Sequence, residues 1–152
     1  MYKLKITPID SKQIKISELI TKKVALFCNL TSTWSKTKIT FSQLQFLHDK
    51  YSEQGLVVIG QTKEGQEKKT NTVFKAWAEE KYSVSFVLLE KGKIATTDPL
   101  WSHLQEEQPG KKLTNFTKFL VDRKGEVVER ATGPPTSLEG RIKELLAEKW
   151  AK

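Results

Sequence analysis

One thiol is available for chemistry in this sequence. Cys28 ends the apolar run Val24-Ala25-Leu26-Phe27-Cys28. A cysteine attacks or binds metal as the thiolate, which needs access and nearby positive charge. Inside such a run the pattern predicts an inert core cysteine whose pKa burial has raised. A lone cysteine also excludes an internal disulfide and any Cys-Cys metal site. His48 and His103 stand far apart with no ligand spacing around them, so neither metal nor cofactor is expected. Lys111-Lys112 follows Pro109-Gly110, but without a Gly-x-x-x-x-Gly-Lys frame it makes no nucleotide loop. Asn29-Leu30-Thr31 and Asn115-Phe116-Thr117 fit the glycosylation pattern, yet both sit at predicted strand ends and no secretion signal is present.

Charge narrows the partners. With 26 Lys and Arg against 18 Asp and Glu, the formal net charge is +8 over 152 residues. Such a balance favours acidic partners: nucleic acid, an anionic lipid surface, or a negatively charged neighbouring subunit. The positive charge is scattered, however, in the pairs Lys22-Lys23, Lys68-Lys69 and Lys111-Lys112 and in Lys91-Gly92-Lys93. Solvated loop ends explain these pairs better than a nucleic-acid surface does. No stretch reaches the roughly 18–20 apolar residues of a membrane-spanning helix. Met1 to Ile6 alternates like a strand and has no apolar signal core, so the expected location is the cytoplasm, or an organelle if a leader has been removed, and not the secreted space.

The elements that would position these residues follow from periodicity. Residues 2–7 and 13–16 alternate around Pro8-Ile9-Asp10-Ser11, predicting an N-terminal β-hairpin. Ser17-Glu18-Leu19-Ile20 reads as a short turn or a helical fragment. The runs at Val24–Cys28 and Leu56–Ile59 suit strands covered on both faces. Between them, Thr40 with Gln43 reads as a capping box for a helix that buries Phe41, Leu44, Leu47 and Tyr51 and ends at Gly55. A polar loop from Gln61 to Lys69 precedes a helix capped by Asn71 that presents Val73, Phe74 and Trp77. Val84 to Leu89 predicts a strand. Asp98-Pro99 starts a short helix running to about Gln105. Thr117–Val121 and Val127–Arg130 form a hairpin around Arg123–Glu126. Thr136 and Glu139 form a second capping box, opening a helix with Leu138, Ile142, Leu145, Leu146 and Trp150 on one face. This order implies an α/β chain with one domain over 1–152, a central mixed sheet and helices on both faces, as in a thioredoxin-like sandwich.

The segment Asn115-Phe116-Thr117-Lys118-Phe119-Leu120-Val121-Asp122 resembles the Trp-Asn-Phe-x-Lys-Phe-Leu-Val-Asp segment of glutathione peroxidases. Val24–Thr37, Leu44–Leu56, Gly65-Gln66-Glu67 and Pro99-Leu100-Trp101 resemble other family segments in the same order. The resemblance covers nearly the whole chain. It implies a glutathione peroxidase-like fold and, for the family, peroxide reduction by a thiol or selenol that glutathione or thioredoxin restores. The short connection from Leu104 to Asn115 resembles the short, monomeric members, which can act at lipid surfaces.

The site the resemblance implies rests on a Cys or Sec, a Gln, a Trp and an Asn. Setting Asn29-Leu30-Thr31-Ser32-Thr33-Trp34-Ser35 on the family's Asn-Val-Ala-Ser-x-Cys-Gly places Trp34 at the nucleophile position. An indole forms no anion near neutral pH and cannot pass through a sulfenic acid. The loop Gln61-Thr62-Lys63-Glu64-Gly65-Gln66-Glu67 is shorter than the family's Phe-Pro-Cys-Asn-Gln-Phe-Gly-Gly-Gln-Glu and lacks its Cys. Gln61 is one candidate for the site Gln. Thr114 replaces the Trp, and Asn115 is retained. These changes predict a non-catalytic binding or structural module, alone or as a subunit of a larger assembly, with no intact catalytic residue. The alternatives are a weak or unconventional peroxidase and a basic lipid-binding or nucleic-acid-binding module. Trp34 is expected either to plug the old pocket or to anchor a partner protein.

Overall fold

The computed structural model describes residues 1–93 and 98–148. The opening alternation forms a two-stranded antiparallel ribbon, β1 (Lys5–Ile6) and β2 (Ile14–Lys15), followed by the single turn α1 (Ser17–Ile20). The first apolar run becomes β3 (Val24–Leu30), buried at every residue. It is followed by α2 (Thr37–Tyr51), β4 (Leu56–Lys63), α3 (Asn71–Tyr82) and β5 (Val87–Gly92). Then come α4 (Pro99–Glu107), the hairpin β6 (Lys118–Val121) and β7 (Val127–Ala131), and α5 (Glu139–Ala147).

The main sheet runs β5-β4-β3-β6-β7. β3, β4 and β5 are parallel, and β6 and β7 are antiparallel to their neighbours, giving the mixed sheet expected of this element order. Period-two alternation splits its side chains between two cores. Leu26, Cys28, Leu30 and Leu120 pack under Phe41 and Leu44 of α2, Phe74 of α3 and Ile142 of α5. Ala25, Phe27, Ile59 and Phe119 pack against Trp101 of α4, with Ile6 of the ribbon, Ile16 at the start of α1 and Ile20 of α1. Helices therefore cover both faces. Each fully buried large side chain contributes about 1.5–3 kcal/mol from apolar burial.

Several local expectations give way to tertiary contacts. Helix α2 begins at Thr37, not Thr40: Thr40 is buried within the helix, and Gln43 Oε1 accepts from the Thr136 backbone N–H and hydroxyl at 3.0 and 2.8 Å instead of capping. Thr70, not Asn71, caps α3, its hydroxyl accepting from the Val73 N–H, while Asn71 Oδ1 accepts from the Lys91 N–H. Val73 is 52% exposed and lies off the buried face. β4 runs on to Lys63 because its parallel pairing with β3 continues to Leu30–Thr62. β5 starts at Val87, where pairing with Ile59 begins; Val84 and Phe86 fill the core from a non-strand linker after the left-handed Ser83. Asp98 caps α4 behind Pro99 as read. A 3-10 turn (Pro135–Leu138) precedes α5, and the placement of Trp150 on that helix lies outside the described residues.

Glu139 does not close a capping box on Thr136. Its Oε2 accepts from Tyr51 Oη at 2.5 Å and Lys50 Nζ at 2.9 Å, tying α5 to the end of α2. Those two bonds, the tyrosine's first, hold the Glu139 carboxyl below the ordinary carboxylate range. A lowered carboxyl pKa contributes stability that is present above the unfolded value of about 4.3 and is lost as pH falls through the folded value. The tie raises the Tyr51 hydroxyl, chiefly through its bond to Glu139, so that contribution is lost as pH rises past about 10. Thermal melts of Tyr51→Phe should therefore lie below the native chain's across neutral pH and converge on them below about pH 4. A gap that stays constant into acid would show that the carboxylate plays no part.

Candidate functional site

The C-terminal end of β3 meets three loops here: residues 31–36 leading into α2, residues 64–69 after β4, and residues 113–117 before β6. Backbone hydrogen bonds fix the last of these to the sheet. Phe116 N donates to Asn29 O at 2.9 Å, Asn29 N to Thr117 O at 3.1 Å, and the Asn29 side-chain amide to Thr114 O at 3.0 Å. Phe116 adopts a left-handed φ of +64°, which a non-glycine residue holds only where its surroundings dictate it. Its ring is buried at the sheet end.

Thr37 shapes the loop that carries Trp34. Its hydroxyl accepts from Trp34 N at 3.0 Å and donates to Thr31 O at 3.1 Å, while its own N–H donates to Trp34 O. Glu67 clamps the neighbouring loop against it. The buried Glu67 carboxylate accepts from Ser32 N at 2.8 Å and Ser32 Oγ at 2.7 Å, and from Lys69 N at 3.2 Å. Lys91 Nζ reaches in from β5 and donates to Glu67 O and Lys69 O.

Trp34 is neither a plug nor a free side chain. It is 47% exposed, and its ring packs on Phe116 with centroids 5.7 Å apart. Thr114 and Asn115 stand beside it along a cleft of about 450 Å³ that Lys63, Glu64 and Gln66 close from the other side. Gln66 Nε2 donates to Asn115 Oδ1 at 2.6 Å. The structure thus brings Trp34, Thr114 and Asn115 together. Gln61 is not among them. Alternation from Ile59 sends its side chain to the α4 side of the sheet, where Oε1 accepts from Trp101 Nε1 at 2.6 Å and Nε2 donates to Glu90 O at 2.7 Å. Both ends of the Gln61 amide are consumed by packing, and it belongs to the second core.

Cys28 lies fully buried under α2. Burial pushes its thiol up to about 12, against a smaller opposing pull from Lys118. At neutral pH it is a protonated thiol in the core, and it forms no part of the cleft wall at Trp34.

Three residues that sequence reasoning placed only within matching family segments turn out to hold the site together: Gln66, Glu67 and Lys118. Lys118 pairs directly across the sheet from Cys28 and is 1% exposed, its ammonium donating to Phe116 O. Desolvation by burial lowers its pKa. A signal was present, since Lys118 shares the strand face of Leu120, which points into the core. For Gln66 and Glu67 the segment Gly65-Gln66-Glu67 marks the loop by its resemblance, but not their contacts, because the partners Asn115 and Ser32 lie on other loops.

A family model described as glutathione peroxidase matches residues 1–105 of the chain. The chain is 35% identical over 130 residues to the glutathione peroxidase homolog BsaA of Halalkalibacterium halodurans, covering 77% of this chain and 83% of that protein. It is 32% identical over 155 residues to the glutathione peroxidase-like peroxiredoxin GPX3 of Candida albicans, covering 92% and 86% respectively. Among solved structures, that of T. cruzi GPX1 matches with a TM-score of 0.74 at 25% identity over 95% of each chain.

Proposed function

Since the chain belongs to the glutathione peroxidase family, we propose that it keeps the family scaffold as a non-catalytic binding or structural module. One observation carries this reading: the only cysteine of the sequence is sealed in the core with its thiol held protonated. Peroxide reduction requires a thiolate or selenolate that can reach the O–O bond and become a sulfenic or selenenic acid. Trp34 occupies the place that the alignment of residues 29–35 gives the nucleophile, and an indole has no such anion. The half-exposed Trp34 supports another protein, or a larger assembly, as the partner, because a tryptophan on a rigid rim is a common anchor of interfaces. The +8 charge supports an anionic lipid surface as the lesser partner class, one whose binding would weaken steeply with salt.

A second reading draws on the family itself, whose relatives are named as peroxidases: a weak or unconventional hydroperoxide reductase. Coupled assays with glutathione or thioredoxin, using hydrogen peroxide and a lipid hydroperoxide, separate the two. The expected rate equals that of the protein-free control. Turnover above it that disappears in Cys28→Ser would sink the non-catalytic reading.

A further inference from the structure

Behind the indole lies a second cleft, of about 360 Å³, on the α2 side of Trp34. Its walls include Trp34, Ile39, Phe116 and Pro134, and its polar groups include Lys36 and Lys118. No carboxylate lines it among the described residues. That absence is physically unusual, because Lys118 is 1% exposed and a buried ammonium costs free energy unless a counter-charge or a full set of acceptors compensates it. An ammonium has three donors. Phe116 O takes one, and no other hydrogen-bond partner or carboxylate engages Lys118 among the described residues. Its neighbour across the strand pair, Cys28, stays a neutral thiol and offers no negative charge. Lys36, at the start of α2, adds a second positive charge that Lys118 feels as repulsion. The partial positive charge at the N-terminus of the 15-residue helix α2 has the same sign.

Two cations with no counter-ion among the described residues, set among an indole, an isoleucine and a proline, call for one ligand chemistry. We propose that this cleft binds a small organic carboxylate with an apolar body, its carboxylate between Lys118 and Lys36 and its body against Trp34, Ile39 and Pro134. The volume sits within the range of about 300–1,000 Å³ usual for small-molecule sites. Ile39 is 45% exposed, so with Trp34 it leaves an apolar rim for the body to cover. In this arrangement Trp34 walls a binding site. The inference rests on the binding-module reading and adds the ligand class to it.

Octanoate is the probe, titrated into the full chain by calorimetry, with octanol and acetate as the body-only and charge-only controls. Octanoate is expected to bind about tenfold or more tighter than either control, the scale of one charge-assisted hydrogen bond. Lys118→Met should abolish that preference while keeping the fold, since it replaces a poorly compensated buried charge by a side chain of similar length. Lys36→Gln should weaken octanoate severalfold and leave octanol unchanged. The Trp34 indole N–H resonance, assigned by its loss in Trp34→Phe, should shift with octanoate. Equal binding of octanol and octanoate, no binding of octanoate, or unaltered affinity in both lysine variants would overturn the proposal. Should Lys118→Met fail to fold by circular dichroism, the octanoate–octanol contrast and Lys36→Gln still decide. No peroxide is present in these titrations, so their outcome is independent of the turnover assay that tests the non-catalytic reading.

Discussion

Trp34→Cys is expected to create a rapidly labelled thiol on a chain whose own cysteine resists labelling. Cys28 is fully buried, so reagent reaches it only when the fold opens. For a stability of about 5–15 kcal/mol, opening-limited labelling falls at least a thousandfold, roughly, below that of an exposed thiol. Position 34 is half exposed in the native chain and lies just before the N-terminus of α2, beside Lys36. Both surroundings favour the thiolate, so the introduced thiol should titrate below the ordinary value of about 8.5. With a hydroperoxide, the thiolate attacks the terminal oxygen of the O–O bond, the alkoxide leaves and takes a proton, and the sulfur becomes a sulfenic acid that dimedone traps. One equivalent of trapping is expected in Trp34→Cys and in Trp34→Cys/Cys28→Ser, and none in the native chain. Sustained turnover should stay low, because the one other thiol of the variant, Cys28, is sealed in the core where it cannot resolve the sulfenic acid, and Thr114 stands where the family has Trp. If the new thiol labels no faster than Cys28, position 34 does not present a nucleophile to solvent, and its assignment to the nucleophile position fails.

What the sequence made legible was what periodicity governs. The spacing of Phe41, Leu44, Leu47 and Tyr51 marks the face that α2 buries, and the run from Val24 marks the central strand. Element ends were less legible, because side chains from distant segments decide them. Thr40 and Gln43 have the spacing of a capping box, yet Gln43 is engaged by Thr136 from the far end of the chain. Val73 looks like a core residue by type, but the turn set by the Thr70 cap points it at solvent. At the site, the grouping of Trp34 with Thr114 and Asn115 is already implied by matching short segments in order. Gln61 lies apart from that group for a reason available in the sequence: extending the strand from Ile59 by two residues keeps Gln61 on the face of Ile59, which packs with Trp101. The loop clamp through Glu67 was not readable, since its partner Ser32 is 35 residues away and neither residue sits in a periodic segment.

Arg123→Met is expected to be the most destabilising single change outside the apolar cores. The guanidinium donates from Nη1 to Lys22 O at 2.7 Å and from Nη2 to Gln54 O at 2.9 Å, and both Nε and Nη2 donate to Leu146 O at 3.3 and 3.1 Å. Those carbonyls end three different elements: the turn after α1, the 3-10 turn (Ser52–Gln54) after α2, and the last turn of α5. Helix-terminal carbonyls have no partner within their own helix, so a single side chain here supplies what three separate caps would. Gly55 reports the same constraint. Its φ of +114° ends the 3-10 turn, and a Cβ there would lie 2.8 Å from Arg123 Nη1. Hydrogen bonds from a charged donor contribute about 1.5–3 kcal/mol each, and water recovers part of that at the more exposed carbonyls, so the net loss should be about 2–4 kcal/mol. Urea unfolding should show it as a lower midpoint with an unchanged m-value. Arg123→Lys should recover only a minor share, because one ammonium cannot span three carbonyls that the planar fork reaches together. Amide exchange in α5 should accelerate first, since its final turn loses its only side-chain cap among the hydrogen bonds of the described residues. A loss below about 0.5 kcal/mol, the range of ordinary surface substitutions, would mean that solvent replaces the clamp and that the three elements are held by their apolar faces alone.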